Sequence, residues 1–359
     1  MQPALLRRPL AAALLACLLP GATQAAAVIV IDDDSEISVG AGIRTSFRSE
    51  EAEVFDQAGF SATEQSDDFD VDNIRLYVNG QVTEDIFLTF NTDRGPDDDV
   101  DVLDAIVRFE FSDYLNFWGG RFLPPSDRSN LSGPFYINAW DFPAVQAYPF
   151  IIAGRDEGAA YWGQWEGGRV KWQVGAFDGP EPEDALEGDD NDDLLYAGRL
   201  TFNFLDPIPG YYNASTYFGE ADVLALGLVA QQQGDDAAYS VDLLAERYFD
   251  GIGTLTFEGA YYDYDGLGFD GTEQQALEGD GYFLLASYLF PEPLGWGRLQ
   301  PNVRYQEGTF FDVDGERWDV SLNYIIDGHD AKLALVWFDT DDLGGVSADG
   351  LILGVQLQI

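Results

Sequence analysis

The chain has 359 residues, 64 of them acidic against 18 basic, for a formal charge of −46, and one cysteine, Cys17. So acidic a surface excludes nucleic-acid binding by phosphate neutralisation. Once the first 25 residues are set aside as a leader, the chain holds no cysteine, which excludes a disulfide framework, a zinc–thiolate site and a cysteine nucleophile.

That leader is predicted from Arg7 and Arg8, the apolar Leu10–Leu19, the break at Pro20-Gly21 and the small residues Ala22-Thr23-Gln24-Ala25. Together they make a secretory signal peptide over 1–25, too short for a transmembrane helix. Leu14-Leu15-Ala16-Cys17 loosely resembles a lipobox, but Leu15 and Leu18 fit that pattern poorly. Residues 26–359 then read as one domain. No apolar run of about 18 residues follows, which leaves a soluble periplasmic protein or a β-barrel open.

Alternation with period two, the mark of a strand with one apolar and one polar face, recurs in sixteen segments. The first is Glu36–Arg48, followed by Asp72–Val82, Ile86–Asp93, Val102–Phe111, Leu115–Phe122, Gly158–Trp165, Arg169–Phe177 and Leu195–Phe204. The second half gives Val223–Gln231, Ala238–Tyr248, Gly253–Tyr264, Tyr282–Phe290, Arg298–Gln306, Arg317–Ile326, Ala331–Phe338 and Gly350–Ile359. The connections alternate long and short: Ser49–Asp68 is long and Thr83–Asp85 short, Arg94–Asp101 long and Ser112–Asp113 short, Leu123–Glu157 very long and Glu166–Gly168 short. Short periplasmic turns and longer extracellular loops alternate in this way in outer-membrane barrels. One connection, Leu205–Asp222, is long where a short turn is due. The pattern predicts an all-β fold, a transmembrane antiparallel up-and-down barrel of about sixteen strands. The last strand ends with Leu351, Leu353, Val355, Leu357 and Ile359 on one face, suited to closing the barrel edge.

Sorting charges by strand face gives a further expectation. Opposite the apolar stripe lie Arg44, Arg48, Arg75, Arg108, Arg169, Lys171, Arg199, Arg298, Arg304, Arg317 and Lys332, against Asp104, Glu110, Asp242, Glu246, Glu258 and Asp319. Pairing leaves basic charge over, so the lumen is expected to be net basic and to favour anions, while the loops carry most of the acid. Arg44, Arg75, Arg108, Arg199, Arg304 and Arg317 are the expected pore-lining, anion-binding residues. The acidic loops Gly95–Asp101 and Glu183–Asp193 lack EF-hand spacing. Asp97, Asp98, Asp99 and Asp101 are the weak candidates for a loop Ca²⁺, and no other cofactor is expected. The alternative reading is a barrel whose acidic loops bind cations or a partner, with little solute selectivity. The single histidine, His329, falls in a tight turn after Asp327-Gly328. A barrel hydrolase would need it on the wall, and no acid pair stands out, so no enzyme activity is expected.

Several segments resemble the phosphate-selective O/P type of Gram-negative outer-membrane porins. They are DNIRLYVNGQV (72–82), FNTDR (90–94), GGRFLPPSDRSNL (119–131), GPFYINAWDFP (133–143), GRDEG (154–158) and KWQVGAFDG (171–179), with LDPIPGYYNASTYFG (205–219) also similar. The resemblance implies a homotrimer of sixteen-stranded barrels in the outer membrane of a Gram-negative bacterium, in contact with its lipid and passing small anions and other solutes. It also implies that the third loop, Leu123–Glu157, folds into the lumen, placing Arg121, Arg128 and Arg155 at a constriction. Family members use lysines to build a phosphate site, and here the loop has none.

Overall fold

The computed structural model describes residues 27–32, 35–55, 61–94, 99–147, 154–179, 193–267 and 277–359. The expected signal peptide over 1–25, Asp97 and Asp98, and all but Asp193 of the acidic stretch 183–193 lie outside them. Seventeen strands follow in chain order: β1 (Ala27–Val30), β2 (Glu36–Phe55), β3 (Ser61–Thr83), β4 (Ile86–Arg94), β5 (Val100–Ser112), β6 (Leu115–Phe122), β7 (Asp156–Trp165), β8 (Val170–Phe177) and β9 (Leu195–Asn203). The remainder are β10 (Val223–Gln233), β11 (Asp236–Phe249), β12 (Gly253–Asp265), β13 (Glu278–Leu289), β14 (Arg298–Phe310), β15 (Val313–Asp327), β16 (Ala331–Leu343) and β17 (Val346–Gln358).

Each strand from β2 onward pairs antiparallel with the next, and β17 pairs back on β2, closing a sixteen-stranded barrel. Closure removes every free edge along the wall. Alternation fixes the faces. Ile43, Leu76, Phe117, Leu243, Val320 and Leu353 point outward and stay exposed, whereas Arg44, Arg75, Asp242, Gln300, Asn323 and Gln356 point inward and are buried. A soluble protein of this size hides its apolar face; here the apolar face is the outside, as lipid requires. No helix among the described residues is long and apolar enough to cross a membrane, and the crossing elements are strands.

The structure departs from the sequence expectations in three places. Ser49–Asp68 is predicted as loop, but β2 and β3 stay paired as far as Phe55 and Ser61. Above the lipid both faces of this hairpin meet water, so backbone pairing persists without an apolar stripe to announce it. The four-residue β1, which pairs with Glu36–Val39 of β2, carries no alternation signal. Finally, a short helix, α1 (Arg128–Ser132), forms in the third loop, capped by the Asp127 carboxylate, which accepts from the Ser129 and Asn130 backbone N–H groups.

Candidate functional site: the filled lumen

Two segments fold into the barrel. The first is the third loop, and its described stretch is tied to wall strands around the circumference. Gln231 donates to the Pro125 carbonyl, Asn323 to Asn138 O and Gln356 to Phe135 O, while Gln306 Oε1 accepts from the Ala144 N–H. Tyr262 donates to Asp127, and the Asp141 carboxylate takes a two-pronged contact from Arg48. Glycine makes room where aromatic rings meet the wall. A Cβ at Gly354 would sit 2.6 Å from the Trp140 ring, and one at Gly42 would sit 3.0 Å from Phe135. Trp140 and Phe135 are each 1% exposed.

The second is the connection Leu205–Asp222, the long turn that breaks the alternation of loop lengths. Its ring of Tyr211 stacks on Trp118 at 4.5 Å. Lys171 donates to Gly210 O and Asn213 Oδ1. Glu246, 1% exposed, accepts from the Tyr217 and Gly219 N–H groups and from the Thr216 and Thr256 hydroxyls. Four donors onto one buried carboxylate hold the segment to the wall of β11 and β12. The two segments also meet: Ser215 N–H donates to Tyr136 O, and Arg128 Nη1 donates to Ala214 O.

Of the predicted pore-lining arginines, all six face inward, but most are buried and bonded. Arg75 pairs with Asp93 at 2.8 Å, Arg304 and Arg317 share Asp319 at 2.9 Å each, and Arg108 meets Glu110 at 3.3 Å. Arg199 grips Asp242 with both Nη atoms. Arg44 lies 4.0 Å over the Trp140 ring and donates to Trp140 O and Asn73 Oδ1. The expected surplus of basic charge is thereby taken up. Asp93 lies on an inward face within β4, and Asp127, Asp141 and Asp156 come from or beside the loop that folds back inside. Face sorting of the strands missed these acids. Arg169, sorted inward, is exposed and pairs with Glu166.

The three constriction arginines separate. Arg128, 1% exposed, lies 3.6 Å from Asp242, and Arg155 meets Asp104 at 3.1 Å, both inside the lumen. Arg121 does not join them. It lies on the outward face of β6, across from Glu157 of β7, which it contacts at 2.6 Å. Phe122 takes the inward position there, so parity sends its neighbour out. Both lysines of the chain are buried on the wall, Lys171 under the second segment and Lys332 under Ile137 O. Neither extends an ammonium into open lumen. For the Ca²⁺ candidates, no group of three or more His, Cys, Asp or Glu side chains is gathered for a metal among the described residues, Asp99 and Asp101 included.

His329 sits in the turn between β15 and β16, with one ring nitrogen 3.2 Å from Phe135 O and the other 3.0 Å from Thr216 O. The ring lies between Tyr136 and Phe218, both tilted against it with centroids 4.8 and 4.7 Å away. Burial, aided by nearby Lys332, pushes its pKa down from 6.5 to about 4, although both carbonyls pull the other way. The folded state therefore binds fewer protons than the unfolded state between these values. Stability is expected to fall as pH drops from about 6.5 towards 4, by roughly 3 kcal/mol in full. Denaturation of the detergent-folded protein across this range checks it, and His329→Gln should flatten that part of the curve.

No protein-family model matches the chain, and neither does any curated protein. Among solved structures the chain is similar to an anion-selective porin from Comamonas acidovorans, with 16% identity and a TM-score of 0.51, covering 91% of this chain and all of that one. It is also similar to the outer membrane channel DcaP of Acinetobacter baumannii, with 12% identity and a TM-score of 0.57 over 93% of this chain and all of that one. Salmonella typhi OmpF, in a complex with daunomycin, gives 10% identity and a TM-score of 0.58 over the same shares. At such identities the likeness is one of fold: this chain has the sixteen-stranded barrel fold of Gram-negative outer-membrane porins.

Proposed function

We propose that the protein is an outer-membrane porin of a Gram-negative bacterium, of or near the O/P type, through which small hydrophilic solutes diffuse passively, small anions such as phosphate among them. The observation that supports this best is a closed barrel, apolar outside and polar inside, whose lumen is narrowed by a loop pinned to the wall. A barrel of this strand number has room for an aqueous passage, and an inward loop sets its bore.

The anion preference rests on Arg48, Arg108 and Arg317, the inward arginines whose side chains keep 24%, 15% and 16% exposure. Each has a carboxylate beside it, so the preference is weak. With both lysines bonded under the inward segments, phosphate passes as one small anion among others. Homotrimer formation belongs to the same proposal. Gly119, Ala159 and Ala176 lie side by side on the outward face of β6, β7 and β8, a row of small residues on short strands where a second copy can approach closely.

Reversal potentials in a planar bilayer under a KCl gradient test the reading. The expected outcome is discrete channels with an anion-to-cation permeability ratio of about two to three. A clear cation preference removes the anion part, and absence of channels removes the porin reading.

A further inference from the structure

The two inward segments enter the barrel from opposite ends and meet at His329. The third loop joins the extracellular ends of β6 and β7, the Leu205–Asp222 segment joins the periplasmic ends of β9 and β10, and His329 sits in the periplasmic turn between β15 and β16. The third loop therefore runs down the lumen to bring Phe135 O within 3.2 Å of Nδ1, while Thr216 O of the other segment lies 3.0 Å from Nε2. A neutral imidazole carries one N–H, so it donates to one of these carbonyls at a time. Phe135 O already accepts from Gln356 Nε2, whereas Thr216 O has no other donor among the described residues. The hydrogen therefore belongs on Nε2, where it holds the periplasmic segment.

Around the ring nothing offsets a positive charge. His329 is 6% exposed, with Tyr136 of the third loop on one side and Phe218 of the other segment opposite. β17 contributes the amides of Gln356 and Gln358, which donate to His329 O, and β16 contributes Lys332, a second cation. Glu246 of β11, reached through the Thr216 hydroxyl, is already taken up by Thr256 and by the Tyr217 and Gly219 N–H groups. Asp327 and Asp330 share the turn, and among the described residues no carboxylate makes an ion pair with the ring.

We propose that His329 is a pH-operated clasp for the junction of the two inward segments, closed while the ring is neutral and released when the ring takes a proton. An imidazolium left in place would donate to both carbonyls, but it would bury a cation beside Lys332 with no carboxylate against it. The fall of the clasped ring's pKa to about 4 reflects that balance. A ring turned out into water protonates near its ordinary value of about 6.5, so the released form binds the proton more tightly than the clasped one. Acidification through this window favours release, and local opening at Phe135 and Thr216 needs no unfolding of the barrel. The consequence for the channel rests on the porin reading: with the junction loosened, the lumen widens.

Two measurements test the clasp. Hydrogen exchange of the detergent-folded full chain reads the junction directly. Protection of residues 133–137 and 214–218, corrected for the intrinsic rate, should fall more than about tenfold between about pH 7 and 4.5, and stay level in His329→Gln. Planar-bilayer recording at fixed ionic strength reads the channel, whose conductance should rise about twofold or more over the same range in the wild type only. Lys332→Gln separates the clasp from a merely structural histidine. Removing the neighbouring cation should move the midpoint of both curves upward by about half a pH unit or more. Level protection in the wild type, an equal fall in His329→Gln, or an unmoved midpoint in Lys332→Gln overturns the clasp. Protection that falls while open channels keep their conductance overturns its role in the pore. Protection that falls as expected in a protein forming no channels upholds the clasp and overturns the porin reading instead.

Discussion

Excising residues 128–141 and bridging the gap with a short Gly-Ser linker is expected to raise single-channel conductance about three- to tenfold, since a sixteen-stranded barrel without its inward loop is an open aqueous channel. The excised stretch holds α1 and the rings of Phe135 and Trp140, which fill the space left by Gly42 and Gly354. The barrel should survive, because the strand pairings do not pass through the loop. Selectivity should move as well. Arg44 loses Trp140, and Arg48 loses Asp141, whose carboxyl is held below the usual range, against its burial, chiefly by Arg48. The excision removes one charge of each sign, since Asp242 loses Arg128 as Arg48 loses Asp141, so the net charge of the lumen is unchanged and any gain in anion selectivity comes from the freed Arg44 and Arg48 alone. Planar-bilayer recording measures both effects. Unchanged conductance would show that the loop does not set the bore.

The second large effect is expected at Asp242. This carboxylate is 2% exposed and faces two arginines, Arg199 of the wall and Arg128 of the loop. Asp242→Ala strands both guanidinium groups in a buried site, a loss of about 3–5 kcal/mol. It should lower the temperature at which the folded form converts to the unfolded form on an SDS gel. Glu157→Ala makes the contrast. Its pair with Arg121 is on the outer face, with Glu157 51% exposed, so the change should be within about 1 kcal/mol. If the two variants melt alike, the buried cluster does not hold the inward segments as the geometry indicates.

Much of the barrel was legible because a wall with lipid on one side and a polar lumen on the other forces alternation at period two. Ile74, Leu76 and Val78 against Arg75, Tyr77 and Asn79 show that pattern in the sequence, and the same split appears in β3. Beyond the lipid the constraint lapses, which is why the paired extension of β2 and β3 reads as loop. The odd length of Leu205–Asp222 marked it as unusual without saying where it goes.

The charge balance of the lumen was less legible. Face sorting found the arginines, since a strand residue's side follows from its parity. It did not find their partners, because acids such as Asp127 and Asp141 reach the lumen only when a loop folds back inside. Arg121 shows the same limit: membership in a motif near the loop says nothing of face, and β6 turns it outward. By itself, then, the sequence determined the wall: strand number, which residues face lipid, and which arginines face the lumen. Periodicity is a local property, and each strand records it alone. Only the tertiary structure decided what fills the barrel and which charges cancel. Those depend on contacts between residues far apart in the chain, such as Arg44 with Trp140 and Arg128 with Asp242, and no local pattern encodes them.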